Sequence, residues 1–339
     1  SLCEQIEQVR ERDRQGRFRY PALVVFPEDI GTFLLVSPYY RQIRTARTLD
    51  EALKRIAFRR LPRVFYHRAR YHASTLRALF LMGARETYEV YYRTFSTLAQ
   101  RHQLSVVAGS LLVPDNRFGA TSTFQLEPSQ PRLYNLSLTF DARGEVVHET
   151  RKVNLVRGLE DALELTPGTS HEQRPFEVCG ARVGNMICQD GFVTGLGPAF
   201  VPIGPLLVQQ GAEILTQPSA NLLPWAERWP LARPERPITQ GEAWMEQGLL
   251  GLMRALPSIL YGINPMLNGG LLGIRFEGQS TILGRGGEGE PIVLACAERF
   301  GDGSEVETIL KVEASLPARS RLRPPAVMSA PPFPTMASS

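Results

Sequence analysis

The chain has 339 residues, is 43% hydrophobic and 21% charged, and carries a formal net charge of +4. These proportions are ordinary for a soluble globular protein and argue against a disordered or fibrous chain. No apolar run reaches the roughly 18 residues of a membrane span, so none is expected.

Four cysteines (Cys3, Cys179, Cys188 and Cys296) are widely dispersed, with no CxxC pair and no His-rich spacing. That pattern speaks against a disulfide framework or a zinc site, and free thiols point to a cytoplasmic protein. Only three of the 38 basic residues are lysines, Lys54, Lys152 and Lys311. A lysine kept among so many arginines suggests a need for a compact, flexible ammonium.

Residues 3–14 mix Glu and Arg with Ile6 and Val9, which predicts an exposed helix. Residues 20–26 form an apolar run stopped by Pro27, a buried strand with Glu28 at its C-terminal edge. Residues 38–104 read as mostly helical, with segments at 39–47, 49–60 and 86–102, the second capped by Thr48 or Asp50. Residues 41–72 hold ten Lys/Arg against two Asp/Glu, a formal +8. The plain reading of that patch is a solvated helical face. A phosphorylated or acidic partner, a membrane surface or nucleic acid are the alternatives. No nucleic-acid-binding signature accompanies it, so no nucleic-acid partner is expected.

A second buried strand spans residues 104–113 and runs through Gly109-Ser110, and further strands are predicted at 118–124 and 132–140. The turn Asp141-Ala142-Arg143-Gly144 returns the chain antiparallel over 145–150, which places Lys152 just past a hairpin strand. A loop follows at 157–170, then a hairpin of 173–179 and 181–187 turning at Gly180. Its second strand delivers Cys188 to a sharp polar break, Gly184-Asn185-Met186-Ile187-Cys188-Gln189-Asp190. Regular structure ending in a turn is one way to present a nucleophile beside free amides. An isolated buried cysteine is more often a small hydrophobe.

Beyond it come a helix at 205–210, a strand at 211–215 and a Pro- and Trp-rich loop at 222–238 able to line a pocket. An amphipathic helix is predicted at 244–256, with strands at 259–264, 281–283, 293–297 and 308–312. Residues 1–316 read as one domain with a basic helical insertion at about 38–85, and 317–339 as a Pro-rich tail without core residues.

Three segments then stand together: Val24-Val25-Phe26-Pro27-Glu28, Arg151-Lys152-Val153-Asn154-Leu155, and the Cys188 break. With Gly109-Ser110, Thr166-Pro167-Gly168, Pro218-Ser219-Ala220 and Phe276-Glu277-Gly278-Gln279-Ser280, their order resembles the nitrilase superfamily of carbon–nitrogen hydrolases over about residues 20–315. The resemblance implies an α/β fold, a four-layer αββα sandwich with mixed sheets, here with the extra helical insertion. It also implies that Glu28 is a general base, Cys188 the nucleophile and Lys152 the oxyanion stabiliser, aided by the Gln189 backbone amide. A second glutamate orienting substrate or lysine is expected in the loop after Lys152. Glu160 and Glu164 both qualify, and Glu164, nearer the Pro-Gly landmark, is preferred.

The resemblance implies a first strand before the helix placed here at 3–14, so the expectation is either a trimmed chain or a sheet lacking that edge. Arg254-Ala255-Leu256-Pro257 replaces a common Arg-Ala-x-Glu-Asn pattern. In Asp190, two residues after Cys188, the chain resembles the family's amide-cleaving members, which implies an amide or N-carbamoyl substrate over a nitrile. Acyl transfer to an amine, or a non-catalytic binding protein using the basic surface, are the alternatives. The resemblance further implies a small-molecule amide-type substrate, no metal or organic cofactor, and a homodimer or higher homo-oligomer.

Overall fold

The computed structural model describes residues 2–316 except 9, 13, 17, 130, 195–198, 230–231, 233–234 and 299–308. Its apolar runs assemble into two sheets. The first contains β1 (Leu23–Val25), β2 (Ser105–Val107), β3 (Leu111–Pro114), β4 (Leu133–Phe140) and β5 (Val146–Arg151). Every residue of β4 is buried, because both its edges are paired and both its faces covered. β2 and β3 lie end to end along one edge of β4 and β5 along the other, while β1 runs parallel to β2.

The second sheet contains β6 (Phe176–Val178), β7 (Ala181–Asn185) and β8 (Ile214–Thr216). After β9 (Ser219–Ala220) come β10 (Tyr261–Asn264), β11 (Met266–Leu267), β12 (Gly269–Leu271), β13 (Ile274–Phe276), β14 (Thr281–Arg285) and β15 (Pro291–Cys296). Its order is β15-β14-β10-β8-β7-β6, with β7, β8 and β10 parallel, so both sheets are mixed. β9 pairs with β11, and β12 with β13, as separate two-stranded ladders.

The helices are α1 (Leu2–Gln8), α2 (Tyr40–Ile43), α3 (Leu49–Arg59), α4 (Leu61–Tyr71), α5 (Thr75–His102), α6 (Ile203–Gln209), α7 (Gln240–Gln247) and α8 (Leu249–Ala255). One core cluster joins the inner face of α5, through Tyr88, Tyr91, Phe95 and Ala99, to Val106, Leu111, Leu138 and Phe140 of the first sheet. A second joins Leu207 of α6 and Leu249, Leu252 and Met253 of α8 to Leu215 and Leu283 of the second sheet. Between the sheets Val107 packs with Phe176, Val183 and Ile214. The layers are therefore helix, sheet, sheet, helix, the αββα sandwich.

Several expected elements change shape. The 104–113 strand is divided at Gly109, whose φ of +65° breaks the ladder between β2 and β3. Residues 118–124 form no strand. The Asn116 side chain instead donates to Gly119 O and Thr123 O and accepts from Phe118 N and Gln125 N, so one amide satisfies four backbone groups of the loop. The helix expected at 3–14 stops at Gln8, and the chain turns at Gly16 so that Arg12 bridges Phe18.

The helix expected at 244–256 starts earlier, on a Thr239–Glu242 capping box, and breaks at Gly248 into α7 and α8. Thr48, not Asp50, caps α3, accepting from Glu51 N at 3.1 Å. Ile309–Leu316 run without strand pairing, and Thr308 and the tail from residue 317 lie outside the described residues. No described helix is long and apolar enough to cross a membrane.

Candidate active site

Glu28, Lys152 and Cys188 follow the ends of β1, β5 and β7, and the seam between the two sheets brings them together. Glu28 is set by the Gly109-Ser110 segment. Asp29 N donates to Ser110 Oγ at 3.0 Å and Gly31 N to Ser110 O at 2.9 Å. A Cβ on Gly109 would lie 2.0 Å from Pro27 O, so only glycine lets the two segments meet. Lys152 is held from both sides, its N donating to Asn135 O at 3.0 Å and its O accepting from Gly168 N at 2.7 Å. The Thr166-Pro167-Gly168 landmark thus clamps the lysine strand.

Cys188 opens a short 3-10 turn, Cys188–Gly191, with φ +50°, an uncommon region for a non-glycine residue. The turn is held by Cys188 N donating to Pro218 O at 2.8 Å and by Gln217 Nε2 donating to Cys188 O at 2.8 Å. Asp190, fully buried, ties it to the lysine segment. Its two oxygens accept from Val153 N, Asn154 N and Asn154 Nδ2 at 3.0, 2.6 and 2.8 Å.

Inside, Lys152 Nζ donates to Glu28 Oε1 at 2.9 Å and to Glu160 Oε1 at 3.0 Å. Glu28 also accepts from Asn135 Nδ2 at 2.8 Å and from Ala220 N at 2.9 Å. The Cys188 thiol donates to Ala220 O at 3.8 Å, with Glu28 and Lys152 among the charged groups that act on it.

All four residues are excluded from water. Burial raises the pKa of the Glu28 carboxyl against the pull of Lys152. Burial and the neighbouring Glu28 also push the Cys188 thiol well up, which keeps it neutral at rest. Burial alone would lower the Lys152 pKa, but Cys188, Glu160 and Glu28 hold it well above its usual range. The result is an ammonium, a carboxyl and a neutral thiol buried together.

Residues 22–288 match the sequence model of the carbon-nitrogen hydrolase family. The chain belongs to this family.

Among solved structures, the carbon–nitrogen hydrolase of Helicobacter pylori G27 is 20% identical, covers 87% of this chain and 77% of its own, and superposes with a TM-score of 0.51. Nit3 of Saccharomyces cerevisiae, a member of branch 10 of the nitrilase superfamily, is 19% identical over 63% of this chain and 62% of its own, at TM-score 0.43. An amidase of Nesterenkonia sp. AN1 is 15% identical over 87% and 82%, at 0.44. Among curated protein sequences there is no match.

Within this carbon–nitrogen hydrolase, Glu160 and Glu164 separate cleanly. Glu160 is buried against Lys152, and its other oxygen accepts from Val156 N at 2.6 Å. Glu164 has a left-handed backbone (φ +56°) that ends the 161–163 turn, and its side chain pairs with Arg77 at 3.5 Å, outside the site. The preference for Glu164 is therefore corrected to Glu160.

Asn135, Gln217 and Asn154 had no signal in the sequence, since single amides in strands and loops are unremarkable until their partners are known. The Gln189 side chain is buried in the Cys188 turn, and its Oε1 has no partner among the described residues. Ile187, Phe192, Trp225, Trp244 and Met266 pack around Cys188 and make the surroundings of the thiol largely apolar. Trp225 is the expected contribution of the 222–238 loop. Among the described residues no group of three or more His, Cys, Asp or Glu is placed to hold a metal ion.

Proposed function

We propose that this carbon–nitrogen hydrolase cleaves a small linear amide or N-carbamoyl compound through a thioester on Cys188. The observation behind this reading is the Lys152 ammonium held between Glu28 and Glu160, with the buried Cys188 thiol close enough for both charges to act on it. Sγ attacks the carbonyl carbon as Glu28 takes the thiol proton, so no free thiolate has to persist in the dry pocket. The oxyanion that forms is met by Lys152 Nζ and by the backbone N–H of Gln189.

When the C–N bond breaks, Glu28 returns its proton to the leaving ammonia or amine. Water then attacks the thioester, Glu28 takes a proton from it, and the acid leaves with the thiol restored. Glu160 and Asn135 position the lysine and the base. The amide is favoured over the nitrile by the resemblance of Cys188-Gln189-Asp190 to amide-cleaving members, which place an Asp at that position. The tryptophan-rich surroundings of Cys188 suit an uncharged acyl part. The protein is proposed to work as a homodimer or higher homo-oligomer, which sedimentation tests.

The deciding experiment is an ammonia-release screen over primary amides, ω-amido acids, N-carbamoyl compounds and nitriles. Turnover should be confined to the amide-type compounds and absent from the Cys188→Ala protein. Undiminished ammonia release by that variant rules out the nucleophile, and activity on nitriles alone rules out the substrate class.

A further inference from the structure

Helix α4 is apolar on the wrong side for a solvated helix. Val64 is its one buried residue, with His67 and Tyr71 half-buried on the same side against the protein. Helical periodicity turns Pro62, Phe65, Tyr66 and Ala69 away from Val64, and these four are exposed, as is Leu61 at the start of the helix. Phe65 keeps 70% of its surface in water, Tyr66 59% and Leu61 53%, and Phe58 at the end of α3 adds 79%. Isolated exposed apolar residues are normal, but a contiguous group on one helix face marks an interaction surface.

The rim of this face has one sign of charge. Arg59, Arg60, Arg63, Arg68 and Arg70 surround it, all exposed. No acidic residue occurs between Glu51 and Glu86, against nine Lys/Arg in that interval. Among the described residues Arg59, Arg63 and Arg68 form no ion pair, whereas Lys54 and Arg55 one helix earlier are neutralised by Asp50 and Glu51. An unneutralised cationic ring around an aromatic and aliphatic centre is the physical description of an interfacial amphipathic helix.

We propose that α4 and the end of α3 dock this enzyme onto an anionic lipid surface. Phe58, Leu61, Phe65 and Tyr66 would enter the headgroup–acyl boundary while the arginines meet lipid phosphates. A second copy of the chain is disfavoured as the occupant, because pairing two such faces opposes two unneutralised arginine rings. Nucleic acid would satisfy the arginines but leave Leu61 and the Phe58 edge against a hydrated phosphate backbone. The docking is independent of the chemistry at Cys188, so its test is a binding measurement.

The full chain is mixed with vesicles of phosphatidylglycerol and phosphatidylcholine, or of phosphatidylcholine alone, and sedimented. Binding is expected to the anionic vesicles at low salt, to weaken at high salt, and to be absent from the neutral ones. Two double variants, Phe58→Ser with Phe65→Ser and Arg59→Glu with Arg63→Glu, should each lose about tenfold or more in partitioning. Their circular dichroism and melting should match the parent, since these side chains touch water. Anionic-vesicle binding no better than neutral, or either folded variant binding like the parent, overturns the proposal. So does a parent dimer that the phenylalanine variant dissociates without any vesicle binding, or salt-sensitive binding to single-stranded RNA in place of vesicles.

Discussion

Lys152 and Glu160 are eight residues apart and meet with Nζ 3.0 Å from Oε1, both buried. A short loop thus folds back so that a second carboxylate shares the ammonium already bonded to Glu28. Replacing one partner of a buried charge pair usually costs more than the pair is worth, because the other charge is stranded. Glu160→Gln keeps the shape but removes one of two negative charges, freeing Lys152 to bind Glu28 more tightly and blunt the base. Turnover is expected to fall by about 10²-fold with little change in KM. Glu164→Gln, whose side chain lies outside the site, should retain parental rates. Steady-state ammonia release by both proteins checks this.

Asp190 accepts two backbone N–H groups from the lysine segment while sitting in the Cys188 turn. Asp190→Ala would leave those donors buried and unpaired, at about 1–3 kcal/mol each. The urea midpoint should drop accordingly. Turnover should fall further than Asp190→Asn makes it, since the amide still offers an oxygen to one donor.

Burial raises the carboxyl pKa of Asp29 and of Asp190 from 3.8 to about 7. The native protein therefore holds these protons more tightly than the unfolded chain, which releases them near 3.8. Between those values the folded state binds more protons, so this contribution is full at the acidic end and is lost as pH rises to about 7. Unfolding midpoints measured across that window should decline with pH and flatten above it. Asp190→Asn should make the decline shallower, and an unchanged slope in that variant would contradict the assignment.

Gly109 combines φ +65° with a site where a Cβ would lie 2.0 Å from Pro27 O. Gly109→Ala should cost about 2 kcal/mol or more through strain and clash. Because the displaced segment carries Glu28, activity should fall beyond what unfolding explains. Comparing turnover per folded molecule, with melting as the measure of folding, separates the two effects.

Much of this architecture was legible in the residues. The apolar run stopped at Pro27, the hairpin turn before Lys152 and the polar break at Cys188 are local signals, set within a few residues by backbone chemistry. They named three strand ends, and the structure brings those ends together. The 118–124 segment is a loop where a strand was expected because the Asn116 side chain supplies competing hydrogen bonds. The 244–256 helix was misread because its periodicity continues through Gly248. The break there lets Leu249 N reach Gln217 Oε1, a long-range bond that no local pattern records.

The sequence by itself therefore determined which residue types stand at the ends of buried strands, since strand, turn and breaker preferences act over short stretches. Tertiary structure decided which loop glutamate faces inward. That choice rests on one left-handed residue, Glu164, closing a turn and sending its own side chain out to Arg77. It decided likewise that α4 buries Val64 and shows Phe65 to solvent. Periodicity defines two faces of a helix, but only the neighbouring elements determine which one meets water.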